Sequence, residues 1–258
     1  MKIFFYTIII FLLQANLFSM PIDRESSEIN ILSHSKIFID KNSEFSYDEV
    51  IKKEFTTNTQ KIIGLGIVPN TTLWIKFSLT NSTDKPLNKI LEYDNPETED
   101  LYFYDGDKIT IDGMFHHSKD RQSINPIFHI RLDAKETRTY YIKAHCKIST
   151  LIAKLTLWNE IDFLKHDYKH KTYLFIFFAT ISTLLIYNFM LFIFTRDKTY
   201  LYYVTYLGSM MIFRSIYLGV AQLYFFSNAI SVLVTKGTTI YLFIGYTYYF
   251  LYKRVFKY

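Results

Sequence analysis

Residues 73–80 read Leu73-Trp74-Ile75-Lys76-Phe77-Ser78-Leu79-Thr80, with apolar side chains at every second position. That period belongs to a strand with one face on a core, because successive side chains of a strand point to opposite faces. It places Leu73, Ile75, Phe77 and Leu79 inward, and Trp74, Lys76 and Ser78 outward. The polar run Asn81-Ser82-Thr83-Asp84-Lys85-Pro86 then predicts a turn. Further strands are predicted over 89–94, 101–104, 108–111, 127–132, 139–146 and 151–158, and Asp105-Gly106-Asp107 predicts a hairpin between the second and third of these. In the 139–146 strand, Tyr140, Ile142, Ala144 and Cys146 face inward, while Tyr141, Lys143 and His145 face out. About seven short strands with turn clusters between them predict an antiparallel β-sandwich over residues 21–160, with no helix of any length interrupting it.

Past residue 170 the pattern changes. Residues 173–194 carry no charge, residues 200–226 carry only Arg214, and residues 229–252 carry Lys236 near their start. Each run is long enough to cross a bilayer as a helix, and the many tyrosines gather toward the ends, as interfacial belts do. The expectation is a membrane domain over 173–258 with three transmembrane helices, joined to the sandwich by a linker at 161–172. At the other end, Met1-Lys2 precedes an apolar run of about eleven residues, too short to span a bilayer, with Ser19-Met20-Pro21 beyond it. Residues 1–20 therefore read as a signal peptide cleaved near Ser19, or as a retained anchor. Either reading puts residues 21–170 outside the cytoplasm. The loop around Arg196 and Lys198 and the tail with Lys253, Arg254 and Lys257 then fall inside, as the positive-inside rule asks. Lys165, Lys169 and Lys171 sit against the rule.

The net charge of +5 is modest and much of the basic excess flanks the apolar runs. Membrane lipid, and not nucleic acid, is the partner this distribution implies. The single Cys146 leaves no disulfide within the chain and no cysteine-based zinc site. A Gly-rich phosphate loop, a His-Glu-x-x-His zinc helix and a Gly-x-Ser-x-Gly elbow are all absent from the sequence, so neither an enzyme nor a cofactor is expected. Adjacent His116 and His117 would point to opposite faces of a strand, which suits a loop better than a metal site.

The run Thr72-Leu73-Trp74-Ile75-Lys76-Phe77-Ser78-Leu79-Thr80-Asn81-Ser82-Thr83-Asp84-Lys85-Pro86-Leu87 resembles the extracellular sensor of bacterial seven-transmembrane receptors with diverse intracellular signalling modules (7TMR-DISM). Glu92-Tyr93-Asp94-Asn95-Pro96, Leu101-Tyr102-Phe103-Tyr104, Thr139-Tyr140-Tyr141-Ile142 and Leu155-Thr156-Leu157-Trp158 follow in the family's order. Leu185-Ile186-Tyr187-Asn188-Phe189 and Arg196-Asp197-Lys198-Thr199-Tyr200-Leu201-Tyr202-Tyr203 resemble the first two helices of its membrane domain. The resemblance covers about residues 35–250. It implies a jelly-roll sandwich, similar to carbohydrate-binding modules, that senses a ligand outside the bacterial inner membrane and signals through seven helices. This sequence carries three such segments and no output module. A truncated receptor, a fragment, or a short form completed by a partner membrane protein or a second copy is expected. The rival reading is a membrane-tethered binding or adhesion module without signalling.

Three residues stand out as site candidates. Trp74 on the polar face of the best strand, with Tyr141 outward on another, could form a platform for a sugar ring, whose C–H groups pack on an aromatic face. A loop or second sheet covering Trp74 is the alternative. Arg214, midway along the second apolar run, is costly in lipid unless it faces water or a partner, so it is a functional candidate; Ser209, Ser215 and Asn188 are its nearest polar neighbours in sequence terms. Cys146 reads as a small core residue.

Overall fold

The computed structural model describes residues 19–116, 121–224 and 245. Residues 1–18 of the predicted signal segment, and the third apolar run apart from residue 245, lie outside the described residues, while Met20, expected within the signal segment, begins the first strand. The strands are β1 (Met20–Ile22), β2 (Ile29–Asn30), β3 (Lys36–Asp40), β4 (Thr56–Thr57), β5 (Ile63–Gly66), β6 (Thr72–Asn81), β7 (Leu87–Tyr93), β8 (Asp100–Asp105), β9 (Lys108–Asp112), β10 (Ile127–Leu132), β11 (Thr137–His145), β12 (Leu151–Ala153) and β13 (Leu155–Trp158). The helices are α1 (Tyr47–Val50), α2 (Glu160–Thr195), α3 (Lys198–Tyr217) and α4 (Val220–Tyr224).

The alternating strand at 73–80 is the middle of β6, and it organises the larger sheet. That sheet runs β4-β3-β6-β11-β8-β9, with β1 pairing in parallel to the far part of β6. A second sheet runs β10-β7-β13-β2, and β12 with β5 makes a small two-stranded flap. Leu73, Ile75, Phe77 and Leu79 of β6 and Tyr140, Ile142 and Ala144 of β11 are buried. They share one core with Leu91 and Tyr93 of β7, Phe128 and Ile130 of β10, and Leu155 and Leu157 of β13. Each such aliphatic side chain contributes about 1.5–3 kcal/mol by leaving water. Cys146 lies in the same core, and burial raises its thiol pKa. This is a β-sandwich, mostly antiparallel, followed by a long apolar helix.

The predicted hairpin is present: β8 and β9 pair Asp105 with Lys108 across a two-residue turn, and Gly106 takes a φ of +58° there, as the first position of a type II′ turn requires. Two expectations change. The single strand expected over 151–158 is broken at Lys154, because β12 pairs with β5 while β13 pairs with β7 and β2, in different sheets. The sandwich is also interrupted by α1, a one-turn helix in the excursion between β3 and β4.

The chain forms two compact units. One holds residues up to Gly113 together with Asn125–Phe163, and the other holds Met114–Ile124 together with residues from Leu164 onward. The segment 161–172, expected as a linker, is helix: α2 runs unbroken for 36 residues. The run expected as one helix over 200–226 is divided. Asp197 caps α3, its side chain accepting from the Thr199 amide at 2.8 Å, and α3 ends at Tyr217. Gly219, with φ +76°, turns the chain into α4.

Candidate functional site: the outer sheet face and the start of the long helix

The outward residues of β6 do not meet solvent uniformly. Trp74 is 0% exposed. It lies with Val50 and Tyr104 in a second, smaller apolar cluster, surrounded by Phe38, Phe45, Tyr47, Phe55, Tyr102 and Tyr141. The cover comes from α1 and its flanks. Glu49 accepts hydrogen bonds from both the amide (2.9 Å) and the hydroxyl (2.8 Å) of Ser46, which closes that turn. Tyr47 then lies flat on Tyr104, with centroids 4.2 Å apart and planes 2° from parallel. Trp74 is thus not an open stacking platform. The strand period placed it on the correct face but could not reveal a lid supplied from some 25 residues upstream. Tyr141 is half-buried, edge-on to Tyr47 at 5.5 Å, with the Lys76 ammonium 5.3 Å from its ring. The two predicted residues do share one cluster, in a packed state. The Trp74 indole N–H has no acceptor among the described residues.

A second constellation lies where the last strand becomes α2. Glu92, buried on β7, accepts from the Trp158 indole N–H at 2.8 Å and from the Asn125 amide at 2.8 Å. Asn125 also donates to Asp94 at 2.9 Å, and Lys154 donates to the other oxygen of Asp94 at 2.6 Å. Trp158 ends β13 and Asn125 opens the return of the chain into β10, so one carboxylate fixes both. Behind them Ile90, Trp158 and Phe163 form an apolar cluster that includes the first turn of α2. Lys89, 1% exposed, donates to the backbone oxygen of Ser26 and to the Asn159 side chain, and Asn159 in turn receives the Phe163 amide at 2.8 Å. Burial depresses the Lys89 pKa to about 8, against the pull of Asp23 and Asp162 in the other direction. Neither Glu92 nor Lys89 is among the site candidates that the sequence pattern picks out. A Lys and a Glu inside the run Lys89-Ile90-Leu91-Glu92-Tyr93 were the available signal, because charged residues are rarely buried unless paired.

In the other unit, Met114 and Gln122, on either side of residues 117–120, pack with the helices. Lys171 donates to the Gln122 oxygen and to Asp167, each at 2.6 Å, and Met114 clusters with Ile216 and Ala221. Arg214 is exposed on α3, its guanidinium 5.8 Å from the Tyr217 ring. Its expected neighbours are engaged elsewhere: Ser209, Ser215 and Asn188 each donate to a carbonyl of their own helix. Among the described residues α2 is the one helix long and apolar enough to cross a membrane, and almost none of it is buried. Phe175, for example, is 73% exposed.

A β-sandwich followed by a helix long and apolar enough to cross a membrane is the architecture of a membrane-anchored β-domain. Family comparison makes it a membrane receptor with an extracellular domain: the 7TMR-DISM extracellular 2 domain matches residues 33–159, and the 7TM diverse intracellular signalling domain matches residues 170–258. The chain belongs to the 7TMR-DISM family. No curated protein matches it. Among solved structures it is similar to the β-glucosidase of Kluyveromyces marxianus in complex with glucose, at 12% identity and a TM-score of 0.33, over 52% of this chain and 19% of that one. A selenomethionine-labelled form of that enzyme gives 11% and 0.32, over 51% and 18%. A Paenibacillus cycloisomaltooligosaccharide glucanotransferase complexed with cycloisomaltoheptaose gives 12% and 0.24, over 57% and 21%. The chain spans about a fifth of the length of these proteins.

Proposed function

We propose that the protein is a non-enzymatic sensor of the bacterial inner membrane. Its extracytoplasmic sandwich binds a small ligand, a carbohydrate in the reading the family resemblance suggests. It passes the change of state along α2 into the membrane domain, which crosses the bilayer three times within this sequence. One observation carries this reading. The first turn of α2, through Phe163, is built into the sandwich by Trp158–Glu92 and Asn159–Lys89, and the same helix then continues without a break to Thr195. What supports α2 as the route is its continuity: helices bend sharply only at identifiable defects, and α2 contains neither Pro nor Gly.

The topology is tested by reporter fusions at Ser123 and at Tyr258. Three crossings must invert the chain, so Ser123 reports the extracytoplasmic side and Tyr258 the cytoplasmic side. The same side at both positions would overturn the three-span reading.

A further inference from the structure

The outward side chains of the larger sheet stand in rows, because residues directly opposed in a ladder point to the same face. One row crosses four strands as Ile111, Tyr102, Lys143 and Trp74. The next runs Ile109, Tyr104, Tyr141 and Lys76. The face is closed at one end and open at the other. Trp74 is fully buried, whereas Ile109 and Ile111 on β9 are 54% and 44% exposed. Between the two ends the Lys143 ammonium lies 5.3 Å from the Trp74 ring and 5.7 Å from the Tyr102 ring.

The closed end lies under the excursion from Asn42 to Phe55, which contains α1. That segment is pinned at both ends. Asp40 accepts from the Asn42 amide at 3.4 Å and from the Phe45 amide at 3.0 Å, and beyond Phe55 the strand β4 pairs with β3. Between the pins, among the described residues, the hydrogen bonds of residues 46–55 stay within the segment, as from the Val50 amide to the Ser46 oxygen at 3.0 Å. It meets the sheet through side-chain packing alone, by Val50 and the rings of Phe45, Tyr47 and Phe55. Segments joined to a fold by so few hydrogen bonds open at low free energy, and ligand-binding loops and lids are drawn from them. The closed state also leaves one bond unmade. The Trp74 indole N–H is buried without an acceptor among the described residues, and an unsatisfied buried donor raises the free energy of the state that holds it. Meanwhile Tyr47 lies on Tyr104 face to face, as a flat ligand would.

We propose that this face is a saccharide site which the free protein closes with its own chain: Tyr47 holds the stacking place on Tyr104 that a sugar ring takes once the segment 42–55 swings away. A ligand that displaces Tyr47 needs a flat apolar face for Tyr104. It also needs oxygen atoms at its edge for the Trp74 N–H and the Lys143 ammonium, which donate and cannot accept. A pyranose ring has both, with C–H groups on its face and oxygens around its rim, whereas an apolar aromatic molecule lacks the oxygens. The open strip of Tyr102, Ile109 and Ile111 gives such a ligand a place to land before the lid moves. The inference rests on the sensor reading, and it adds the site, the ligand class and the contact that must break.

The test is a glycan array of mono- to hexasaccharides probed with the full chain in lipid nanodiscs, followed by calorimetry on each saccharide retained. At least one saccharide is expected to be held. Tyr47→Ala, which removes the competitor, is expected to bind it at least threefold more tightly. Trp74→Phe, which keeps a ring but loses the N–H, is expected to bind it at least tenfold more weakly. No saccharide held by either the parent or Tyr47→Ala overturns the inference and leaves the sensor reading to a ligand of another class. Binding that Tyr47→Ala leaves unchanged or weakens overturns it too, because loss of a merely structural Tyr47 would not tighten binding. A Trp74→Phe chain that melts with the parent and binds as tightly has the same consequence. Where Trp74→Phe melts well below the parent, the sign of the Tyr47→Ala effect decides alone. Saccharide binding tightened by Tyr47→Ala, in a chain whose Ser123 and Tyr258 fusions lie on one side, would sink the three-span receptor reading and leave the site standing.

Discussion

The sandwich and the long helix use the same apolar residue types in opposite ways. In the sandwich Leu73, Ile75 and Leu79 are withdrawn completely from solvent, whereas on α2 Phe175, Ile186 and Tyr187 all stand exposed. A water-soluble surface rarely carries a large contiguous apolar patch. The difference therefore records two solvents: water drives the sandwich side chains into a shared core, and hydrocarbon leaves those of α2 no reason to hide. The sandwich also contains an exception in the other direction, a charged Lys89 held inside. Three substitutions break or sharpen this contrast.

The largest expected effect is at Trp74. Emptying the outer-face cluster with Trp74→Ala is expected to cost about 3–5 kcal/mol, as large-to-small changes of buried aromatics do. Denaturant unfolding of the full chain in detergent, followed by near-ultraviolet circular dichroism, measures it. A cost below about 1 kcal/mol would mean that α1 is a loose flap and that the face is open after all. Next is Leu184→Arg, at an exposed position midway along the apolar part of α2. In lipid it is expected to cost about 2.5–3.5 kcal/mol of insertion free energy, read from the fraction of chain that integrates into membranes. If α2 faced water, the same change would stay within about 0.5 kcal/mol and the contrast would collapse.

The smallest effect is a dependence on pH. The Lys89 pKa falls from 10.5 to about 8 in the folded chain, so between those values the unfolded state binds more protons and stability rises with pH. Relative to Lys89→Met, the parent is expected to gain up to about 3 kcal/mol between pH 7 and pH 10.5. Parallel pH profiles for the two proteins would show that the lysine is effectively solvated.

How much of this was legible in the sequence follows from the range of the interactions involved. The core faces of β6 and β11, the β8–β9 hairpin and the span of β10 follow from local period and turn chemistry, and all stand where residues 73–80, 105–107, 127–132 and 140–146 placed them. The strands β1 to β5 were not found. They run two to five residues, too short for a period, and exist because distant partners such as Leu79 and Lys76 pair with them. The fate of Trp74 was hidden for the same reason: its cover begins at Tyr47. The rows of outward side chains across β9, β8, β11 and β6 are a register fact, and no single-strand pattern contains a register. The helical character of 161–172 is obscured by its charges, Lys165, Asp167, Lys169 and Lys171 among them, which suit an exposed helix surface as well as a linker.

The excursion at Met114–Ile124 has a practical consequence for anyone recombining such receptors. Because that stretch belongs with the helices although it is encoded between β9 and β10, the two units are interleaved in the gene and not strung end to end. A chimaera cut once, near Phe163, would give the helices of one parent the packing segment of the other, and Met114 would face a foreign Ile216. Exchange of sensors between family members therefore calls for three coordinated junctions, beside Gly113, Asn125 and Phe163. Gly113 itself must be kept at the first of them, because an added Cβ would lie 2.4 Å from the Glu99 carbonyl oxygen.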